Sequence, residues 1–275
     1  MKFNKVKCGI TGHTGVLGSE LIKKNKEIKF IKFKGDITNK KNVQKWFQYN
    51  SFDIIIHLAA VVPTKVVKKN YKKANQVNYF GTKLLIDEIL KNQKIKWFFY
   101  SSTSHVYKFT KNKISENGII KPISKYGSTK LRGENYIKKK LKKKIPYCIG
   151  RIFSFSNTRQ KKDYIIPAIL SKAQSKKKEI IINNTNHFRD FLCVKDICNA
   201  ISILRKKKAV GIYNIGSGKK VLISKIVKII FDKYNKKYII NNNNIQTCLV
   251  SNNSKIKKLG WKPTKNIQSI IKELF

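Results

Sequence analysis

A tyrosine and a lysine four residues apart, Tyr126 and Lys130, have the types and spacing best suited to chemistry in this chain. On a helix such a pair shares one face, because 3.6 residues make a turn. A phenol alone is a poor acid–base catalyst, since its ordinary pKa is about 10. Bringing it near neutrality takes about 4 kcal/mol. An ammonium ~4 Å away supplies roughly that much at an effective dielectric of ~20. A second hydroxyl is then needed to hold a substrate oxygen against the phenol, and Ser101-Ser102-Thr103-Ser104 upstream offers one. A helix that merely exposes one tyrosine and one lysine has the same spacing, so the pair needs support from the rest of the chain.

The elements that must position these residues follow from periodicity. Val6–Thr11 is a short apolar run, followed by Gly12-His13-Thr14-Gly15-Val16-Leu17-Gly18 and an amphipathic segment, Ser19–Lys24. That pattern predicts strand, tight turn and helix. Further strands are expected at Ile28–Phe33, Phe52–Leu58, Trp97–Ser102 and Pro146–Phe153, with helices at Lys40–Tyr49, Asn75–Asn92 and Ser124–Lys144. Strands alternating with helices predict an α/β fold, a Rossmann-type doubly wound parallel sheet covered on both faces. After Phe153 the pattern loosens. A helix over Lys161–Ser175, a strand at Glu179–Ile182 and a strand edge running into a helix over Phe188–Leu204 are predicted there. They are followed by a strand at Gly211–Ile215, a helix at Ile223–Tyr234, a polar loop at Asn241–Asn244 and a last helix from Ile267. We expect a dinucleotide-binding domain over residues 1–153, with residues 191–216 returning to it, and a smaller α+β lobe, mainly substrate-binding, over 154–275.

Composition sets bounds. At 275 residues and 41% hydrophobic content the chain can bury a full core. Lys+Arg number 61 against 14 for Asp+Glu, a net charge of +47. That raises nucleic acid or acidic membranes as partners, but the lysines are strewn through nearly every element instead of massed in one stripe. Lys, Asn and Ile are abundant together and share adenine/thymine-rich codons, so the charge is expected to be generic: no specific nucleic acid, no membrane. The five cysteines show no CxxC or Cys/His cluster, which predicts a reducing compartment and no metal site. Met1 leads straight into a strand and no 18-residue apolar run occurs, so a cytoplasmic protein without a signal peptide is expected.

Thr11-Gly12-x-x-Gly15-x-x-Gly18 lies between a strand and a helix, the setting of a dinucleotide fingerprint. Glycine there permits the tight turn, lets backbone approach a pyrophosphate, and lets the helix pack on the strand. With further motifs it carries a resemblance that runs nearly end to end. Gly35-Asp36-Ile37, His57-Leu58-Ala59-Ala60, Asn78-Tyr79-Phe80-Gly81-Thr82, Ser101–Tyr107, Tyr126–Lys130, Arg189-Asp190-Phe191 with Val194-x-Asp196, and Tyr213–Gly218 follow in order. The chain thereby resembles an extended short-chain dehydrogenase/reductase, of the nucleotide-sugar epimerase/dehydratase/reductase superfamily.

The resemblance implies NAD or NADP as cofactor and a nucleotide-diphosphate sugar as substrate, with a homodimer as the assembly. It implies Tyr126 as general acid/base, Lys130 lowering its pKa and bonding the nicotinamide ribose, and Thr103 orienting the sugar oxygen. It places Gly12, Thr14, Gly15, Val16, Leu17 and Gly18 around the cofactor phosphates, and Asp36 and Ile37 at the adenine. Leu58, Ala59, Ala60, Asn78, Ser101 and Phe153 are implied beside the cofactor. Ser104, His105 and Ser154 are implied beside the sugar, and Arg189 on its diphosphate.

Departures narrow the reaction. Sugar 4,6-dehydratases of the superfamily carry an Asp-Glu pair after the catalytic threonine, where this chain has Ser104 and His105. That disfavours dehydration. UDP-galactose 4-epimerases have an asparagine where Ser154 follows Arg151-Ile152-Phe153. Ile28–Gly35 also runs into Asp36 with no separate acidic residue ending a second strand, which tilts toward NADP. Hydride transfer at a sugar carbon, C4 first among them, by an epimerase or a 4-ketosugar reductase is the expectation. A non-catalytic dinucleotide-binding regulator or an RNA-associated protein is the alternative.

Overall fold

The apolar runs of the first half become adjacent parallel strands. In the computed structural model, residues 5–62, 64–91 and 94–275 are described. The first half runs β1 (Lys7–Thr11), α1 (Val16–Lys24), β2 (Lys29–Lys32), α2 (Lys40–Gln48), β3 (Ile54–His57), α3 (Thr64–Lys69) and α4 (Tyr71–Asn75). A π-helical segment, Gln76–Gly81, joins α4 to α5 (Thr82–Lys91). Then come β4 (Trp97–Thr103), a 3₁₀ turn at Ser104–Val106, α6 (Lys125–Leu141), β5 (Tyr147–Ile152) and β6 (Ser154–Ser156). The remainder is α7 (Ile165–Ala173), β7 (Ile181–Asn183), β8 (Phe188–Arg189), β9 (Phe191–Cys193), α8 (Val194–Lys206), β10 (Gly211–Ile215) and β11 (Val221–Leu222). It ends with α9 (Ile223–Lys233), β12 (Ile239–Asn241), β13 (Cys248–Leu249), α10 (Ser254–Lys257) and α11 (Ile267–Lys272).

Six strands form the main sheet in the order β10-β5-β4-β3-β1-β2, and every pairing in it is parallel. Alternate residues of each strand face opposite layers, as a pleated strand requires. Trp97 and Phe99 join the cluster under α1 and α8, while Phe98 and Tyr100 join the one under α2, α5 and α6. Each such fully buried side chain contributes roughly 1.5–3 kcal/mol. A third apolar cluster, built from α7, α9, α11 and β9, holds the C-terminal elements together. Short sheets β11-β8-β13, β12-β7 and β6-β9 complete the structure. The strand order reverses between β1 and β3, and ligands of doubly wound sheets bind in the crevice at such a point.

The elements differ from expectation in several places. The helix expected from Asn75 begins at Tyr71 and passes through the π segment, and α3 lies where no element was predicted. The single strand edge expected from Phe188 is broken into β8 and β9 at Asp190. The cause is the Asp190 carboxylate, which accepts bonds from Ser217, Gly218 and Ser251 instead of letting the strand run on. α7 starts at Ile165, four residues late, because Lys161–Tyr164 closes as a turn. α6 stops at Leu141, with Lys143 in the left-handed region at φ 61°. Asn241, placed in a loop, ends β12. Met1 and Asn92, named in the sequence-based element assignments, lie outside the described residues.

Candidate active site

Gly12 takes a φ of +70°, and a Cβ there would lie 2.6 Å from the Ala59 nitrogen. Glycine is therefore what lets the turn after β1 touch the one after β3. A Cβ on Gly18 would collide with the Gly12 carbonyl, so α1 also packs directly on that turn. Gly15 is exposed, and a Cβ on it would meet only the Gly12 oxygen, at 3.4 Å. Thr14 is exposed beside it, while Val16 and Leu17 pack down on the core. No side chain caps the α1 N-terminus and its first turn holds no acid, so its positive end is left for an anion. This cradle fits a dinucleotide diphosphate.

Hydrogen bonds fix the floor of the crevice. His57 lies between the Thr11 and Thr82 hydroxyls, at 2.6 and 2.9 Å, and Thr11 Oγ1 accepts the Ala59 amide at 3.2 Å. Burial, then the nearby Lys130 charge, hold the His57 pKa well below its usual value, so it is a neutral brace. Leu58, Ala59 and Ala60 are half-buried along the same edge. Asp36 is exposed; its Oδ1 accepts the Thr38 amide at 2.8 Å, and Ile37 is buried against Gly81.

Two residues expected beside the cofactor have side chains engaged within the protein. The Asn78 amide is fully engaged: Oδ1 accepts the Val61 N–H at 2.7 Å, and Nδ2 donates to the Val61 carbonyl and to Thr129 Oγ1. It braces the loop after β3 against α6 instead of offering a free donor. Phe153 is buried in a cluster with Tyr107 and Leu249, its ring stacked on Tyr107, so packing uses the side chain expected at the cofactor.

α6 begins at Ser124, whose Oγ accepts the Gly127 N–H at 3.0 Å. Tyr126 is half-buried in its first turn, Lys130 is 1% exposed one turn later, and Thr103 ends β4. A Cβ on Gly127 would strike the His105 carbonyl, and the His105 ring meets the Tyr126 ring edge-on at 6.0 Å. The turn carrying Thr103, Ser104 and His105 is thus pressed onto the start of α6. Thr103 Oγ1 accepts the His105 amide at 3.2 Å, Ser104 is buried, and Ser101 is half-buried just upstream.

Lowering of the Tyr126 pKa by Lys130 was expected, but burial dominates both groups. Desolvation, with a smaller contribution from Tyr164, pushes the Tyr126 phenol up. Desolvation brings the Lys130 amine down to about 7 against the opposing pull of Glu134. The Lys130 Nζ lies 4.0 Å from the centre of the Tyr100 ring.

Arg189 reaches toward the same turn from β8. Its guanidinium donates to the Phe188 carbonyl at 2.8 Å and to Thr247 Oγ1 at 3.1 Å, and stacks over Phe109 at 5.4 Å. Desolvation brings its pKa down to about 10. The nearby acids in sequence, Asp190 and Asp196, are committed elsewhere, Asp190 to Ser217 and Ser251 and Asp196 to Thr264. Among the described residues no carboxylate forms an ion pair with Arg189. Ser154 is half-buried at the start of β6, paired with Phe191.

One participant escaped the sequence reading. Glu134, fully buried, accepts two bonds from Arg151 at 3.0 and 2.6 Å and one from the Ser102 hydroxyl at 2.5 Å. It follows Lys130 by four residues, as Lys130 follows Tyr126, so helical spacing alone signals it.

The fold is a Rossmann-type α/β fold. The chain matches the family described as GDP-mannose 4,6 dehydratase over residues 16–274. It is 31% identical over 206 residues to a dTDP-D-glucose 4,6-dehydratase of Dictyostelium discoideum, covering 70% of this chain and 47% of that one. It is 25% identical over 292 residues to the dTDP-4-dehydro-6-deoxyglucose reductase of Escherichia coli, covering 93% and 92%. It also superposes on the Thermus thermophilus UDP-glucose 4-epimerase, solved with NAD, with a TM-score of 0.86 at 17% identity, over 98% and 97% of the two chains. The chain belongs to the GDP-mannose 4,6 dehydratase family, within the extended short-chain dehydrogenase/reductases. It spans about half the length of the Dictyostelium relative.

Proposed function

We propose that this chain is an NAD(P)-dependent enzyme acting on a nucleotide-diphosphate sugar, with hydride transfer at a sugar carbon, C4 first among them. The observation that carries the reading is the burial of Lys130 one helical turn after Tyr126 on α6. Desolvating an amine is costly, and an apolar residue at this position of α6 would pack without that penalty. A chain that keeps lysine there keeps it for chemistry. The cofactor supplies or accepts the hydride when bound. The protein's part is positioning and proton transfer. Tyr126 gives or takes the proton at its phenol oxygen, Thr103 orients the sugar oxygen, and Lys130 supplies charge beside both. Arg189, a cation whose partners among the described residues are all neutral, suits a diphosphate through its planar fork.

The turn after Thr103 supplies serine and histidine where dehydration needs carboxylates, which favours an epimerase or a 4-ketosugar reductase. Mass spectrometry of the nucleotide that co-purifies with the protein tests the reading and divides the two. Tightly held NAD supports the epimerase. An empty site that turns over a 4-keto sugar nucleotide only with added NADPH or NADH supports the reductase. Failure to bind either dinucleotide contradicts both.

A further inference from the structure

Outside the motifs, one cation from the second half of the chain lies on the glycine turn. Arg159 belongs to a short loop after β6 that folds back on itself: Asn157 Oδ1 accepts the Arg159 amide at 2.9 Å, and the Asn157 carbonyl accepts the Gln160 amide at 3.1 Å. So held, the exposed guanidinium donates to Ser19 Oγ at 2.5 Å and to the Thr14 carbonyl at 3.4 Å. Thr14 is in the glycine turn and Ser19 in the first turn of α1, the two elements that present backbone N–H groups to a phosphate.

Both acceptors are neutral. Glu20 is the next residue on α1, yet among the described residues Arg159 makes no ion pair with it or any other acid. A second observation lies on either side of the arginine. Ser156 Oγ and Gln160 Oε1 are buried without a hydrogen-bond partner among the described residues, and Ser156 is only 4% exposed. Buried polar atoms left unpaired cost free energy, and here two of them flank one loop.

We propose that Arg159 is a phosphate clamp: it leaves Ser19 and Thr14 to grip the cofactor diphosphate from the side opposite the glycine turn. This rests on the dinucleotide reading of the crevice given above. The clamp is a charge-assisted contact of the kind that an arginine fork makes with phosphate oxygens. It also ties cofactor binding to the loop between β6 and α7, so that the bound dinucleotide holds the second half of the chain against the first.

Fluorescence or calorimetric titration with NADH and NADPH tests the clamp on wild type, Arg159→Ala, Arg159→Lys and Ser19→Ala, with melting temperatures recorded for each. Arg159→Ala is expected to raise Kd about 10- to 100-fold, at an unchanged melting temperature in the absence of ligand. Arg159→Lys should recover part of that loss, because it keeps the charge but not the fork. Ser19→Ala should leave Kd within about twofold or tighten it, since it frees the guanidinium. A Kd for Arg159→Ala within about twofold of wild type overturns the clamp. So does a Ser19→Ala variant as weak as Arg159→Ala, which would make the arginine a strut between two halves. Wild-type protein that binds neither dinucleotide overturns the proposed function itself, a result distinct from either.

Discussion

The Nδ1 of His105 lies 3.0 Å from Ser124 Oγ, the same oxygen that accepts the Gly127 N–H at the start of α6. One hydroxyl therefore caps the helix bearing Tyr126 and anchors the turn bearing Thr103. Burial, with the Arg189 charge beside it, takes the His105 pKa down to about 4, so the ring is neutral at pH 7. Ser124 Oγ thus serves both partners, accepting the Gly127 amide and sharing a hydrogen bond with the His105 ring. His105 is thereby held by a structural hydrogen bond just past the end of β4.

Ser124→Ala removes the cap and the anchor together. Stability should fall by roughly 1–2 kcal/mol, and turnover should fall further than cofactor affinity as Thr103 and Tyr126 lose their fixed spacing. Denaturant titration beside steady-state kinetics checks both. Unchanged stability and turnover would separate the turn from the helix and contradict the anchoring.

Lys130 gives a pH signature. Its folded-state pKa, about 7, lies below its ordinary value of 10.5. Between those values the unfolded chain binds more protons, so stability rises with pH from about 7 to about 10.5 and is flat below 7 on this account. Lys130→Met removes the titration. The variant should exceed wild type in stability most at pH 7 and below, and the gap should close as pH rises toward 10.5. A gap independent of pH would mean that Lys130 is not desolvated.

Arg189→Ala should raise KM for the sugar nucleotide about 10- to 100-fold, because a diphosphate would lose its charge-assisted partner. Cofactor Kd should be unaffected. An unchanged KM with lowered stability would make Arg189 a strut to Thr247 instead.

Much of this was legible from local pattern. The glycine turn, the buried strands and the Tyr126–Lys130 face are all short-range signals, and the strand at Gly211–Ile215 forms in the main sheet beside β5. What sequence could not give depends on contacts between distant residues. The break at Asp190 is set by Ser217 and Ser251. The engagement of Asn78 is set by Val61 and Thr129. Arg159 sits in a loop with no periodicity, and its place on α1 spans 140 residues of chain. The π segment has no propensity signal of its own; it turns Asn78 inward while Gly81 approaches Ile37.

The +47 charge is expected to bind nucleic acid only weakly. Basic residues occupy the last turn of helix after helix, α1, α2, α6, α7, α8 and α9 among them, where they complement the helix dipole on separate faces. Trp97, Phe98 and Phe99 are buried core and no stacking platform. Labelled DNA and RNA titrated at ~150 mM salt should show no sub-micromolar binding. Tight binding that persists there and is displaced by NAD(P) would promote a regulator in place of an enzyme.

In the proposed reaction the Tyr126 phenol carries the proton that accompanies hydride transfer. Comparing wild type with Tyr126→Phe on a nucleotide-diphosphate sugar, while measuring cofactor Kd on both, tests it most directly. The substitution removes the hydroxyl and leaves the ring to pack, so turnover should fall by ~10²–10⁴-fold with cofactor Kd unchanged. Turnover within a factor of a few of wild type would mean that Tyr126 does not carry that proton.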